Sequence, residues 1–207
     1  MIAALYVQKH GCYWDLDGID PWDQKRDARQ YKGPHPVIAH PPCTRWCKLA
    51  KMVEAKHPHL KAGEDEGEFQ HALWAVRKFG GVLEHPAYSM AWPAYGLNRP
   101  PTTGGWVVAD FHGGWTCCVE QSAYGHQARK RTWLYAHGVV LPSLRWQKTS
   151  GHEYTKVVGY CRNKSSRPLS DRLTQRQNRS TPIPFRDLLI RIANSRLESE
   201  PAQCMLF

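Results

Sequence analysis

The sequence predicts an α/β domain on a mostly parallel sheet, with helices on both faces and a short basic, loop-rich insertion. Three observations carry that expectation. Short apolar runs alternate with a helix-period segment in the first half of the chain, which is the pattern of strands joined by crossover helices. Glycine and proline punctuate the ends of these runs. Finally, 207 residues suit one domain with a substantial core.

In chain order, Ile2–Val7 reads as a buried first strand, followed by a loop at Gly11. The segment Asp20–Tyr31 reads as a short polar helix, with Asp20 as its N-cap and Pro21 at the first helical position. Pro36–His40 is a second strand that runs into Pro41-Pro42-Cys43. Glu68–Phe79 is the clearest helix, because Phe69, Leu73, Val76 and Phe79 share one face and Gly80-Gly81 stops it. A strand ending at Glu84 follows, and then three more, in Gly105–Phe111, Trp115–Gln121 and Arg131–Gly138. Residues 1–140 form the catalytic core in this reading. Residues 141–180 are the basic insertion, 181–198 a helix starting near Pro182 or Pro184 that returns to the core, and 199–207 a polar tail.

A net charge of +10 points to a polyanionic partner, most simply nucleic acid, with solubility alone as the bland alternative. The nine tryptophans and nine tyrosines supply either core or base-stacking surfaces. Seven scattered cysteines, odd in number, are no disulfide framework and suit a reducing cytoplasm. The opening apolar run is too short for a signal peptide or a membrane span, so a soluble protein with no membrane partner is expected.

Three segments carry chemistry: Pro41-Pro42-Cys43, Leu83-Glu84-His85-Pro86 and Gly125–Arg131. Two prolines restrict the backbone directly before the thiol, which suits a nucleophile or a metal ligand better than a buried core cysteine. A thiol, a carboxylate and alternate arginines suit substitution at C5 of a pyrimidine. Thiolate addition to C6 makes C5 enamine-like, a carboxyl with a raised pKa donates a proton at N3, and arginines hold the ring carbonyl or a phosphate. Zinc is the rival reading, because His35, His40, Cys43 and Cys47 are all zinc-ligand types, though their spacing matches no ribbon or finger. Structural readings stand beside these: Cys43 as an inert thiol, Glu84 as a cap or surface partner, Arg129 and Arg131 as a charged strand edge.

The order and character of the three segments resemble the DNA cytosine-5 methyltransferase family, in a reduced, phage-like form. The family's Pro-Cys loop corresponds to Pro42-Cys43, its Glu-Asn-Val or Glu-Asn-Pro to Glu84-His85-Pro86, and its Gln-x-Arg-x-Arg to Gln127, Arg129 and Arg131. The turn at Thr181-Pro182 before the last helix is a looser echo of its final motif. The likeness covers roughly Ile2–Gly138 and the C-terminal helix. It implies a Rossmann-like methyltransferase sheet, with Cys43, Glu84, Arg129 and Arg131 as catalytic residues. It further implies S-adenosylmethionine as donor, bound near Tyr6, Gly11, Pro42 and Thr181. DNA would be the partner, met by Gln127 and by Lys156, Arg162, Lys164 and Arg167 of the basic segment. Only Gly11 remains of the family's Phe-x-Gly-x-Gly loop, and the target-recognition domain shrinks to residues 141–180. Either recognition is minimal or a partner protein supplies it. A nucleic-acid-binding protein that has lost catalysis, and an enzyme acting on free nucleotides or using another one-carbon donor, are the alternatives.

Overall fold

The computed structural model describes residues 1–146, 155–156 and 172–197. Its framework is a seven-stranded sheet with spatial order β2-β1-β3-β4-β7-β6-β5. The strands are β1 (Ile2–Leu5), β2 (Ile19–Trp22), β3 (Val37–Ala39), β4 (Gly81–Pro86), β5 (Val107–Val108), β6 (Trp115–Glu120) and β7 (Arg131–His137). Five helices accompany them: α1 (Ala50–Lys56), α2 (Glu68–Phe79), α3 (Ala91–Ala94), α4 (Gln175–Arg179) and α5 (Ile183–Asn194).

The sheet is mixed, not mostly parallel. Strands β2, β1, β3 and β4 pair in parallel, whereas β4–β7, β7–β6 and β6–β5 pair antiparallel. Connection length explains the difference. A parallel return needs a crossover, and α2 supplies one between β3 and β4. Only a short 3-10 turn at Gln121–Tyr124 and a loop separate β6 from β7, so that pair must turn back on itself.

Alternate residues along the central strands feed two cores. Leu5, Val37, Ala39, Leu83, Trp133 and Tyr135 meet Phe69, Leu73 and Val76 of α2 on one face. Ile2, Ala4, Ile38, Val82, Leu134 and Ala136 meet Phe185, Leu188, Leu189 and Ile192 of α5 on the other. Both faces are therefore buried, which is why these strands read as continuous apolar runs. The start of β4 is fixed by Gly81, whose φ is +130° and where a Cβ would fall 2.0 Å from the Val37 carbonyl oxygen. Only glycine permits that approach of β4 to β3.

The helix expected at Asp20–Tyr31 is not formed. Ile19–Trp22 is the edge strand β2, and the only helical turn is the 3-10 segment Ala28–Gln30. Pro21 lacks an N–H but lies on an edge strand, where one side of the ladder needs no donor. β4 also runs two residues past Glu84, to Pro86. Helices α1, α3 and α4 carry no strong periodicity in the sequence. Most of the basic insertion, including Arg162, Lys164 and Arg167, lies outside the described residues, as does the tail. No helix among the described residues is long and apolar enough to cross a membrane.

Candidate active site

β1 and β3 are neighbours, and the chain runs from β1 outward to β2 but from β3 the other way to β4, so the two connections diverge. Such a reversal opens a crevice beyond the carboxyl ends of the two strands, where ligands of open α/β sheets bind. The loop after β3 delivers His40, Pro41, Pro42 and Cys43 to this place. The His40 N–H donates to the Leu5 carbonyl (3.1 Å), tying the loop to the end of β1. Beyond Cys43 the loop is anchored by Trp46, which is buried and donates from Nε1 to Asp65 Oδ2 (2.7 Å). Asp65 also caps α2 by accepting from the Phe69 N–H (2.8 Å). The Cys43 carbonyl accepts from the N–H groups of Trp46 (3.0 Å) and Cys47 (2.8 Å). Thus the thiol is held between two prolines and an anchored turn, half-buried.

Glu84 points to the α5 face of the sheet and is buried. Its Oε2 lies 3.0 Å from His40 Nδ1, and its Oε1 accepts from Gln121 Nε2 (3.1 Å). Gln121 also donates to Thr132 Oγ1 (2.8 Å), and His40 Nε2 lies 2.9 Å from the Tyr13 hydroxyl. The result is a chain of contacts, Tyr13–His40–Glu84–Gln121–Thr132, built from five separate segments.

Burial alone would raise the Glu84 pKa. The His40 hydrogen bond and the charge of Lys130 are the main causes that outweigh it and hold the carboxyl down to about 2. This reverses the raised value expected of a proton donor to N3. Glu84 rests ionised because cations and donors surround it. The Cys43 thiol is pushed up, by burial first and then by Glu84 and Cys47, while Lys130 pulls it back. Cys43 and Glu84 are expected on one sheet edge from their places after strands; here Glu84 helps raise the pKa of the Cys43 thiol, and the Lys130 charge acts on both groups.

The arginines are placed differently from the sequence expectation. Arg129 and Arg131 both pair with the buried Glu120 at the end of β6, at 2.6 and 3.1 Å. Arg131 also donates to the Tyr88 hydroxyl (3.1 Å). Residue alternation explains this. Arg131 shares the α2 face with Trp133, whereas Thr132 faces Glu84, and Lys130 is the cation whose charge reaches both Glu84 and Cys43. In the Arg-Lys-Arg run the middle residue serves the thiol and carboxylate. The same two-residue period in the sequence could have identified it.

His85 turns to the opposite face from Glu84. Its ring packs against Phe69 (centroids 5.2 Å apart) and stacks with Trp92 (6.2 Å). It is buried, and neither ring nitrogen has a hydrogen-bond partner of good geometry. Burial holds it neutral, with a pKa of about 4, although the nearby Pro42 and Pro41 carbonyls oppose that shift.

At the end of β1, Tyr6 adopts a left-handed φ of 59°. Its hydroxyl lies 3.3 Å from His71 Nδ1 on the α2 side. The Gly11 N–H closes a turn onto the Gln8 carbonyl (2.9 Å). Thr181 precedes α5, whose Arg186 donates to the Cys12 carbonyl (3.0 Å), so α5 is tied to the loop after β1. Pro42 is exposed at the rim. Gln127 is exposed too, and its carbonyl accepts from the Thr155 (3.0 Å) and Lys156 (2.8 Å) N–H groups. His40 engages both ring nitrogens with Glu84 and Tyr13, and no metal-binding group of three or more His, Cys, Asp or Glu occurs among the described residues. No family model, curated protein or solved structure matches the chain.

The arrangement suits addition chemistry. A thiol beside a lysine can be drawn to thiolate as substrate excludes water, and the adjoining carboxylate can accept N–H groups from a planar amidine edge. Sequence reasoning singled out Cys43 and Glu84, and it named His40 among possible zinc ligands. It missed Tyr13, Gln121, Lys130 and Thr132.

Proposed function

We propose that this chain modifies C5 of cytosine in DNA, by methyl transfer through a covalent adduct of Cys43 with C6. The observation that carries this reading is the contact of His40 with Glu84 (3.0 Å), which joins the Cys43 loop to the carboxylate at the ends of β3 and β4, with the Lys130 charge acting on both thiol and carboxyl. A Rossmann-like methyltransferase architecture accords with it. The strand-order reversal at β1 supports a nucleoside-bearing ligand in the crevice, between a parallel half that binds it and a thiol loop that reacts.

Adenosylmethionine, the donor implied by resemblance, would supply an electrophilic methyl group. Tyr6, Gly11, Pro42 and Thr181 would hold it. So would Asp23, which is buried directly after β2 and accepts the Arg26 N–H (3.0 Å), where an acid meets ribose hydroxyls in such sheets.

Cytosine enters flipped out of the stack, since C6 is unreachable inside a duplex. The ionised Glu84 accepts from the N4 amino group and, once N3 is protonated, from N3–H. Lys130 stabilises the thiolate after the Cys43 proton leaves to solvent. Arg129 and Arg131, braced on Glu120 with side chains 32% and 30% exposed, meet a flanking phosphate. Gln127 and Lys156, and by the resemblance Arg162, Lys164 and Arg167, are the residues assigned to the DNA backbone.

The test is mass spectrometry of nucleosides from cells that express the wild type or Cys43→Ser. A deoxycytidine heavier by one methyl group, present with wild type alone, is expected. A different added mass would point to another one-carbon donor. No modified base, with wild type still binding duplex DNA, would leave a nucleic-acid-binding protein without catalysis.

A further inference from the structure

We propose that His40 supplies and recovers the proton that cysteine addition places on the pyrimidine N3, acting through Glu84, with Tyr13 as hydrogen-bond partner in both protonation states. This rests on the cytosine reading above. The chemistry requires a proton at N3, yet Glu84 rests ionised, so the carboxyl facing the base holds none of its own. The ring nitrogen nearest to its Oε2 is His40 Nδ1, 3.0 Å away, and an ionised carboxylate there calls for a proton on that nitrogen.

Two features fit His40 for this task. Its backbone N–H is fixed to the Leu5 carbonyl (3.1 Å), so the ring cannot drift from the strand ends. Tyr13 can serve either form of the ring. Its hydroxyl lies 2.9 Å from Nε2 and accepts from the Nε2–H that the ring keeps both before and after Nδ1 gives up its proton. Burial raises the Tyr13 pKa well above its ordinary value, so the hydroxyl stays neutral in both states. Nε2 therefore stays paired while the Nδ1 proton leaves and returns.

The groups that face this pair come from every neighbouring element. Glu84 and His85 lie on β4, Cys12 and Tyr13 on the loop after β1, and Cys43 on the loop of His40 itself. Lys130 precedes β7, and Arg186 and Asp187 of α5 act on Tyr13.

The step balances as follows. The Cys43 thiolate forms the S–C6 bond, and the C5=C6 pair becomes a C4=C5 bond. The C4=N3 pair takes a proton from Glu84 Oε2, which receives the Nδ1 proton of His40. The C4=C5 pair then bonds the methyl group as the methyl–sulfonium bond breaks, that bond pair staying on the donor's sulfur, which leaves as a neutral thioether. The N3 proton returns through Glu84 to His40, restoring C4=N3. Loss of the C5 proton to solvent re-forms C5=C6 and expels the sulfur. His40 ends as it began. It acts through Glu84 and does not touch the base, so it is a positioning and proton-supplying residue.

The experiment measures the rate of covalent trapping by a 5-fluorocytosine duplex with adenosylmethionine, from acid to alkaline pH, in wild type and His40→Asn. Asparagine keeps an N–H donor towards Glu84 but cannot deliver a proton. Wild type should show a rate that rises with thiolate formation and falls again at alkaline pH, where the supply of a proton to N3 fails. His40→Asn, with an unchanged melting temperature, should be slower by about 10²–10⁴-fold and should lack the alkaline fall. A variant that traps at the wild-type rate, or keeps that fall, overturns the proposal. If wild type never traps, the cytosine reading is what fails. The pair is then judged in the free protein by the ¹⁵N resonances of the His40 ring. An Nδ1 proton directed at Glu84 is expected there, and an unprotonated Nδ1 overturns the proposal by itself.

Discussion

Acidification should destabilise the fold through one buried histidine. His85 is 1% exposed, and both its ring nitrogens lack partners. Burial lowers its pKa from 6.5 in the unfolded chain to about 4 in the folded one. A base with a depressed folded pKa leaves stability intact above the unfolded value, and the stability drains away as pH falls towards the folded value. Between pH 6.5 and 4 the unfolded chain binds the proton first, so stability declines throughout that window. The gap from 6.5 to about 4 corresponds to about 3 kcal/mol. His85→Phe removes the titration and fills a space already lined by Phe69 and Trp92. Urea unfolding followed by tryptophan fluorescence at pH 7.5 and pH 4 measures both proteins. Wild type should lose about 3 kcal/mol more than His85→Phe between the two. His71 and His126, whose pKa values burial also lowers, contribute equally to both proteins and cancel. Equal losses would refute the reasoning, and with it the placement of a neutral ring beneath the Pro41-Pro42 loop.

Glu84 should add a second acid window. Its carboxyl is depressed to about 2, so the stability it contributes is present above the ordinary value of 4.5 and lost below that. Glu84→Gln should therefore flatten the stability curve between pH 4.5 and 2 in calorimetric melts, and a curve unchanged from wild type would count against the His40 and Lys130 contacts. Glu120→Gln leaves Arg129 and Arg131 facing each other and should cost about 1–3 kcal/mol, less than a fully buried pair because both arginines are partly exposed; a neutral result in chemical denaturation would show that the carboxylate does not bind them. Reversing charge at Lys156, Arg162, Lys164 and Arg167 should weaken duplex binding and flatten the slope of log affinity against log salt. An unchanged slope would move the DNA contact elsewhere.

The periodic elements were legible in the sequence. α2 announces itself through Phe69, Leu73, Val76 and Phe79, and the central strands through apolar runs buried on both faces. Pro21 misled, because Asp-Pro is a helix-start signal, while the pairing of Ile19–Trp22 with β1 is a tertiary contact that no local pattern reports. The mixed sheet followed from the short β6–β7 connection, whose length was visible but whose consequence was not drawn. Cys43 stood out because two prolines directly before a thiol restrict its backbone, and Glu84 because the order of the three segments resembles the methyltransferase pattern. Tyr13 and Gln121 were not, since each reaches the site from a loop or turn distant in sequence. Glu84 was expected to be a proton donor because its neighbours were unknown. Its charge state depends on His40 and Lys130, which only the fold assembles.

The most direct test of the account is peptide mapping of the denatured complex formed with a 5-fluorocytosine duplex and adenosylmethionine. The account predicts one adduct, on the peptide that contains Cys43, carrying the nucleotide and one added methyl group, present in Cys47→Ser and absent in Cys43→Ser. An adduct on another cysteine, or none while the folded protein binds the duplex, would contradict it.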